Sequence, residues 1–235
     1  MYVEVSGKQE YVGKIEGNHS EDARFSYSDS YMEKIRKPIS ISLPLEEKSF
    51  DEKRTRYFFE GLLPEGFTRK CVADKMQKDV NDYLSILSGL GNECLGAIQI
   101  LEENMEQVEP GYRKLTEGEV EALAREGASE SAEIVAKAHL SLTGASGKVG
   151  LYYDKKNHQW YLPVGRMPST HIVKQSHVRL EKIVVNEQLC LNTAKNIGID
   201  VPDSFIINNQ KMRGETVLFA TERYDRVFRK ENLTG

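Results

Sequence analysis

A glutamate inside an apolar helical stripe, and a lysine on the strand before it, are the residues of this chain best placed to do chemistry. On a helix running from about Lys182, Ile183, Glu187, Cys190, Ala194 and Ile197 recur at helical spacing, which sets Glu187 within the stripe. A carboxylate there is costly unless a cation meets it, or unless it lies at the stripe edge and reaches water. In the preceding strand, alternation puts Lys174 on the same face as Ile172 and Thr170, and the following helix can cover one such face. Upstream, Gly144, Ala145, Ser146, Gly147 and Lys148 invite comparison with a phosphate loop. A Walker-type loop is excluded: only Ala145 and Ser146 separate the glycines, Val149 follows the lysine instead of Ser or Thr, and the next element reads as a strand. A loop between two sheet elements, whose glycines let backbone N–H groups approach phosphate, fits better. Taken alone, a plain glycine turn fits as well.

The order of elements decides between them. A glycine-bearing hairpin, a strand lysine and a glutamate on the next helix form the layout by which protein kinases hold ATP phosphates. Around those residues, Leu151-Tyr-Tyr-Asp turns at Asn157-His158 into Trp160-Tyr-Leu-Pro, Thr170–Gln175 comes next, the helix runs to Asn196, and strands near Ser204–Asn208 and Thr216–Thr221 complete a β-β-β-α-β-β order. The first hundred residues read as a small α+β unit. Tyr2–Val5 and Tyr11–Ile15 flank Gly7 as a hairpin, while Phe25, Tyr27, Ile39, Ile41 and Leu43 alternate as half-buried strands until Pro44. Helices are expected over Tyr57–Leu63, Thr68–Lys78 and Asp82–Leu90, then a strand at Gly96–Leu101. Phe58, Phe59, Leu62 and Leu63 read as a core stripe. Residues 102–133 hold ten acids against three bases, and Thr116 with Glu119 makes a capping-box start for one short helix. The division expected is therefore 1–105, a connector over 106–134, and 135–235.

Composition narrows the function. The chain has 32 basic and 36 acidic residues, a net charge of −4, which argues against a general nucleic-acid binder. No run approaches the ~18 apolar residues of a membrane span, and the N-terminus lacks a basic region followed by an apolar core, so a cytoplasmic protein is expected. Cys71, Cys94 and Cys190 read as reduced thiols packed as small hydrophobes. His139, His158, His171 and His177 fit no metal-ligand spacing. Arg223, Arg226, Arg229 and Lys230 alternate with Glu222, Asp225 and Glu231, as on a solvated face.

Four stretches together resemble the HipA family, serine/threonine kinases that act as toxins in bacterial toxin–antitoxin pairs: Phe58-Phe-Glu-Gly-Leu-Leu-Pro-Glu-Gly, Leu140-Ser-Leu-Thr-Gly-Ala-Ser-Gly-Lys, Pro168-Ser-Thr-His-Ile-Val-Lys, and Asn186-Glu through Glu222-Arg-Tyr-Asp-Arg. The resemblance implies an α+β fold, with an N-terminal accessory subdomain followed by a kinase-like N-lobe, an antiparallel sheet carrying one packed helix. By the same resemblance Lys174 binds phosphate with Glu187 as its partner, Glu222 and Tyr224 belong to the hinge that receives adenine, and Ser141 is the autophosphorylated serine. Gly144 to Lys148 would form the phosphate loop, although Ser146-Gly147 stands where a relative has Gln-Glu.

The cofactors implied are ATP and Mg2+. The catalytic aspartate, the asparagine and the second metal-binding aspartate of a kinase lie beyond the hinge in this family, so no catalytic residue is expected in this chain and the metal ligands are expected in a C-lobe. Implied partners are a helix-turn-helix antitoxin and a protein substrate, with an aminoacyl-tRNA synthetase such as glutamyl-tRNA synthetase as candidate. Two readings stand: the ATP-binding half of a HipA-type kinase, or a non-catalytic module engaging an antitoxin or a kinase partner. The codons beyond residue 235 of the gene separate them.

Overall fold

Short alternating segments punctuated by glycine and proline give a mixed α/β architecture built on antiparallel sheets, as expected. The computed structural model describes residues 1–5, 8–34, 37–90, 98–101, 109–126, 148–165, 167–175, 182–208 and 217–225. The described residues fall into two units, one ending at Glu109 and the other beginning at Pro110.

In the first unit, β1 (Tyr2–Val5) pairs with β2 (Lys8–Tyr11), placing Tyr2 opposite Tyr11, and its other edge takes β5 (Ile98–Gln99). A second hairpin joins β3 (Gly13–Glu16) to β4 (Arg24–Tyr27). Gly13 has no alternative there, because a Cβ would run into the Ser26 carbonyl oxygen. Helices α1 (Asp29–Lys34), α2 (Glu52–Glu60), α3 (Gly66–Met76) and α4 (Tyr83–Gly89) complete the unit. Its core gathers Phe25, Tyr27, Phe50, Phe59, Leu63, Tyr83 and Leu87, so Phe59, Leu62 and Leu63 of the expected stripe are buried while Phe58 is half-buried. Helix α2 starts at Asp51, whose Oδ1 accepts from the Arg54 N–H at 2.7 Å. Asp51→Ala should cost about 1 kcal/mol, read as a lowered urea midpoint; an unchanged midpoint would show that this cap contributes nothing.

One expected strand is absent. Ile39 to Leu43 carries only an isolated bridge from Ser40 to Leu43, and Ile41 is 97% exposed. The reason is the Tyr27 phenol. It accepts from Ile39 N at 3.1 Å and donates to Leu43 O at 2.7 Å, occupying the backbone groups that a ladder would use.

The second unit is a six-stranded sheet in the order β10-β11-β9-β7-β8-β6. Its strands are β6 (Gly111–Lys114), β7 (Lys148–Asp154), β8 (Gln159–Val164), β9 (His171–Gln175), β10 (Ser204–Ile207) and β11 (Leu218–Glu222). The turn between β7 and β8 closes where expected. Asp154 Oδ1 accepts from Lys156 N and Asn157 N, and His158 takes a left-handed φ of 51°. Residues 111–126, read from sequence as part of a connector, build into this unit: β6 pairs with β8, and α5 (Glu117–Glu126) buries Val120 and Leu123. The capping box is present as expected. Thr116 Oγ1 accepts from Glu119 N, and Glu119 Oε2 accepts from Thr116 N.

Candidate functional site

Helix α6 (Ile183–Asn196) lies over β10 and β11. Residues opposite each other in an antiparallel pair project to one face, so the register sorts the sheet's side chains. Lys174 lies opposite Lys148 on β7 and opposite Phe219 on β11; Ile172 lies opposite Gly150 and Thr221. These residues share the face that α6 partly covers.

On that face Lys174 Nζ meets Glu187 Oε1 at 2.6 Å. The side chains retain 24% and 36% of their exposure, so the pair is partly buried and still reachable from solvent. Lys174 Nζ also stands 5.5 Å from the centroid of the buried Phe219 ring. A charge-assisted contact to a carboxylate and a ring nearby hold the ammonium in place, and its partial exposure leaves it reachable by a ligand. Lys148, cross-strand from Lys174, brings a second cation to the same face.

The helix is turned from the expected seat. Val184 is its buried residue, with Glu187, Gln188, Leu191 and Ala194 half-buried, while Ile183, Cys190 and Ile197 face outward, Ile197 at 71% exposure. Apolar residues occur on both sides of this helix, so their spacing could not fix its rotation. Polar contacts do: Glu187 meets Lys174, and Gln188 Nε2 donates to Ser204 Oγ at 3.1 Å. Cys190 is therefore exposed and not packed as a small hydrophobe; Cys71 is half-buried, and Cys94 lies outside the described residues.

The opposite face of the sheet holds an aromatic cluster of Tyr153, Trp160, His171 and Phe205, above which a cavity of about 530 Å³ opens beside Leu115 and Thr116. His171 is buried there, and Thr170 Oγ1 lies 2.8 Å from its Nδ1. Burial holds the imidazole down to about 4, against a small opposing pull from Glu222. Glu222, opposite His171, thus projects away from Lys174, and its carboxylate takes Lys155 Nζ at 3.0 Å.

Any use of Glu222 on the lysine face must therefore involve its backbone, whose N–H donates to Asp203 O at 2.8 Å. Tyr224 follows β11 at 90% exposure. Between them Arg223 is buried, which corrects the expectation of a solvated arginine face; Arg226, Arg229 and Lys230 lie outside the described residues. Ser141, Gly144, Ala145, Ser146 and Gly147 also lie outside them, as do His139 and His177. No group of three or more His, Cys, Asp or Glu side chains that could hold a metal ion is gathered among the described residues. No described helix is long and apolar enough to cross a membrane.

The comparisons with known proteins divide in the same way as the chain. The HipA N-terminal domain model matches residues 3–101, and the HipA-like C-terminal domain model matches residues 140–234. A Sinorhizobium fredii protein named "Putative kinase Y4mE" is 30% identical over 225 residues, covering 92% of this chain and 52% of the relative. A Haemophilus influenzae protein is 35% identical over 101 residues, covering 42% of this chain and 92% of its own length. Among solved structures, the complex of HipA, HipB and operator DNA from the Shewanella oneidensis MR-1 toxin–antitoxin system contains a chain similar in fold, with a TM-score of 0.74 at 21% identity. That match covers 98% of this chain and 52% of the solved one, so the present chain spans about half the length of both the kinase-named relative and the structural neighbour.

Proposed function

This chain belongs to the HipA family, and from that premise we propose that it is the ATP-binding N-terminal half of a HipA-type serine/threonine protein kinase toxin. The single observation that carries the reading is the Lys174–Glu187 pair at 2.6 Å, on the sheet face that also carries Lys148. Its residues divide the work. Glu187 orients the Lys174 ammonium; Lys174 and Lys148 offer charge to the phosphates; Gly144, Ala145, Ser146 and Gly147 supply backbone N–H donors over them. Gly150 and Ile172 lie beside the lysine as a strip against which a base can rest, and the backbone of Glu222 and Tyr224, apart from the Glu222 N–H already given to Asp203, receives its edge. Mg2+ would neutralise charge on the transferring phosphoryl group, held by groups of the C-lobe.

The partner proposed is a helix-turn-helix antitoxin, supported by the HipB and operator DNA in the structural neighbour. The substrate proposed is a protein, with an aminoacyl-tRNA synthetase as candidate.

Ser141 is the proposed site of self-inactivation. A phosphate there adds about −1.5 to −2 charges beside the place where ATP phosphates must sit. The test is mass spectrometry of the full-length gene product after incubation with ATP and magnesium, with Ser141→Ala alongside. Phosphate at Ser141, absent from the variant, is expected. Absence of any phosphate transfer would sink the kinase reading, and phosphate confined to Thr143 or Ser146 would sink the role of Ser141.

A further inference from the structure

Few side chains in this protein are as thoroughly tied down as Arg223. Its side chain is 2% exposed. Nε and Nη2 donate to the two carboxylate oxygens of Asp225 at 2.9 and 2.6 Å, and Nη1 donates to Oγ of the fully buried Ser169 at 2.8 Å. Its backbone N–H donates to Thr170 O at 2.9 Å, one step beyond the last β9–β11 pair, Glu222 with His171. The residue before it is fixed as well, through the Glu222 N–H on Asp203 O.

A buried guanidinium is tolerated only where its donors are matched, and the forked match to a carboxylate sets an orientation as well as a contact. Because that carboxylate belongs to a residue two positions on, the bonds curl residues 223–225 into a turn. Tyr224, at the crest, is left 90% exposed between two clamped neighbours.

We propose that Arg223 is a positioning residue: its lock on Ser169 and Asp225 presets the chain leaving β11 so that the backbone around Tyr224 is ready to receive a nucleobase. This rests on the nucleotide reading above. The placement suits the ligand. Four residue steps lead from Phe219, opposite Lys174, to Arg223, a distance of roughly 13 Å that a nucleoside triphosphate can bridge. Phosphate is held at one end of the strip and the base edge at the other. An end that is already ordered adds affinity because no loop has to be fixed on binding.

The test uses this chain with two ligands, ATP and inorganic tripolyphosphate, and reads amide exchange over residues 222–225 in parallel. Tripolyphosphate reports the lysine end alone; ATP reports both ends. Arg223→Lys keeps the charge and loses the fork. It should lower ATP affinity about tenfold, leave tripolyphosphate affinity unchanged, and speed exchange at residues 223–225. Asp225→Asn, on a side chain still partly exposed, should move the same readouts less, and serves if Arg223→Lys does not fold.

Equal losses for both ligands would show a merely structural role and overturn the inference, as would an ATP advantage that survives both substitutions. A parent chain that binds neither ligand overturns the nucleotide reading itself, whatever exchange shows.

Discussion

Lys174→Ala should lower phosphoryl transfer by the full-length protein about 10²- to 10³-fold, the usual loss when one preorganised group facing developing charge is removed. The magnitude comes from what the ammonium is given to work with. Glu187 at 2.6 Å aims it, the Phe219 ring lies beneath it at 5.5 Å, and its partial burial keeps water from screening it fully. Glu187→Gln should fall between parent and Lys174→Ala, since an amide oxygen still accepts from the lysine but no longer offsets its charge. Both variants should keep their fold, because a partly exposed ion pair of this kind contributes about 1 kcal/mol or less. Steady-state kinetics with circular dichroism alongside is the measurement. A Lys174→Ala protein that is folded and retains more than a tenth of the parent rate would remove this lysine from the phosphate site.

Acid should unfold the second unit through His171. Its folded state favours the neutral imidazole, with the group held down to about 4 by burial, whereas in the unfolded chain it titrates near 6.5. Between those values the unfolded chain takes up a proton that the folded one refuses. The contribution is therefore fully present above about pH 6.5 and lost as pH falls towards 4, about 3 kcal/mol in all. Trp160, the one tryptophan of the chain, stands 5.6 Å from His171 and reports this unit directly. Urea unfolding followed by its fluorescence at pH 7.5 and 4.5 should show a steep loss in the parent. His171→Phe, which keeps the ring contacts and removes the titration, should show a loss smaller by about 2 kcal/mol. Parallel losses in the two proteins would mean that other groups carry the acid response.

The β-β-β-α-β-β order from β7 to β11 was legible because alternation and turn residues agree there, Asn157-His158 above all. The contact between Lys174 and Glu187 was legible for a different reason: a strand lysine followed by a helix glutamate, behind a glycine-bearing hairpin, matched the layout by which protein kinases hold phosphates. Three features were hidden because each depends on a partner distant in sequence. Ile39 to Leu43 alternates like a strand, yet a phenol contributed by residue 27 takes its backbone groups. Helix α6 is apolar on two sides, so only contacts with Lys174 and Ser204 fix which side packs. Arg223 sits among charges that look solvated, and its burial depends on Ser169, more than fifty positions away. The spacing of Arg223 and Asp225 was the available clue, because two positions on an irregular segment let a guanidinium fold back onto a carboxylate.

The pairing of Lys174 with Glu187 sets function against robustness. Both charges are held partly out of water, and exchanging such a pair for well-packed apolar residues of similar volume is often neutral or stabilising. A search for stability alone would therefore accept substitutions that leave a sound fold and a poorer site. Any attempt to harden this domain by redesign should hold those two positions fixed and seek its gains elsewhere.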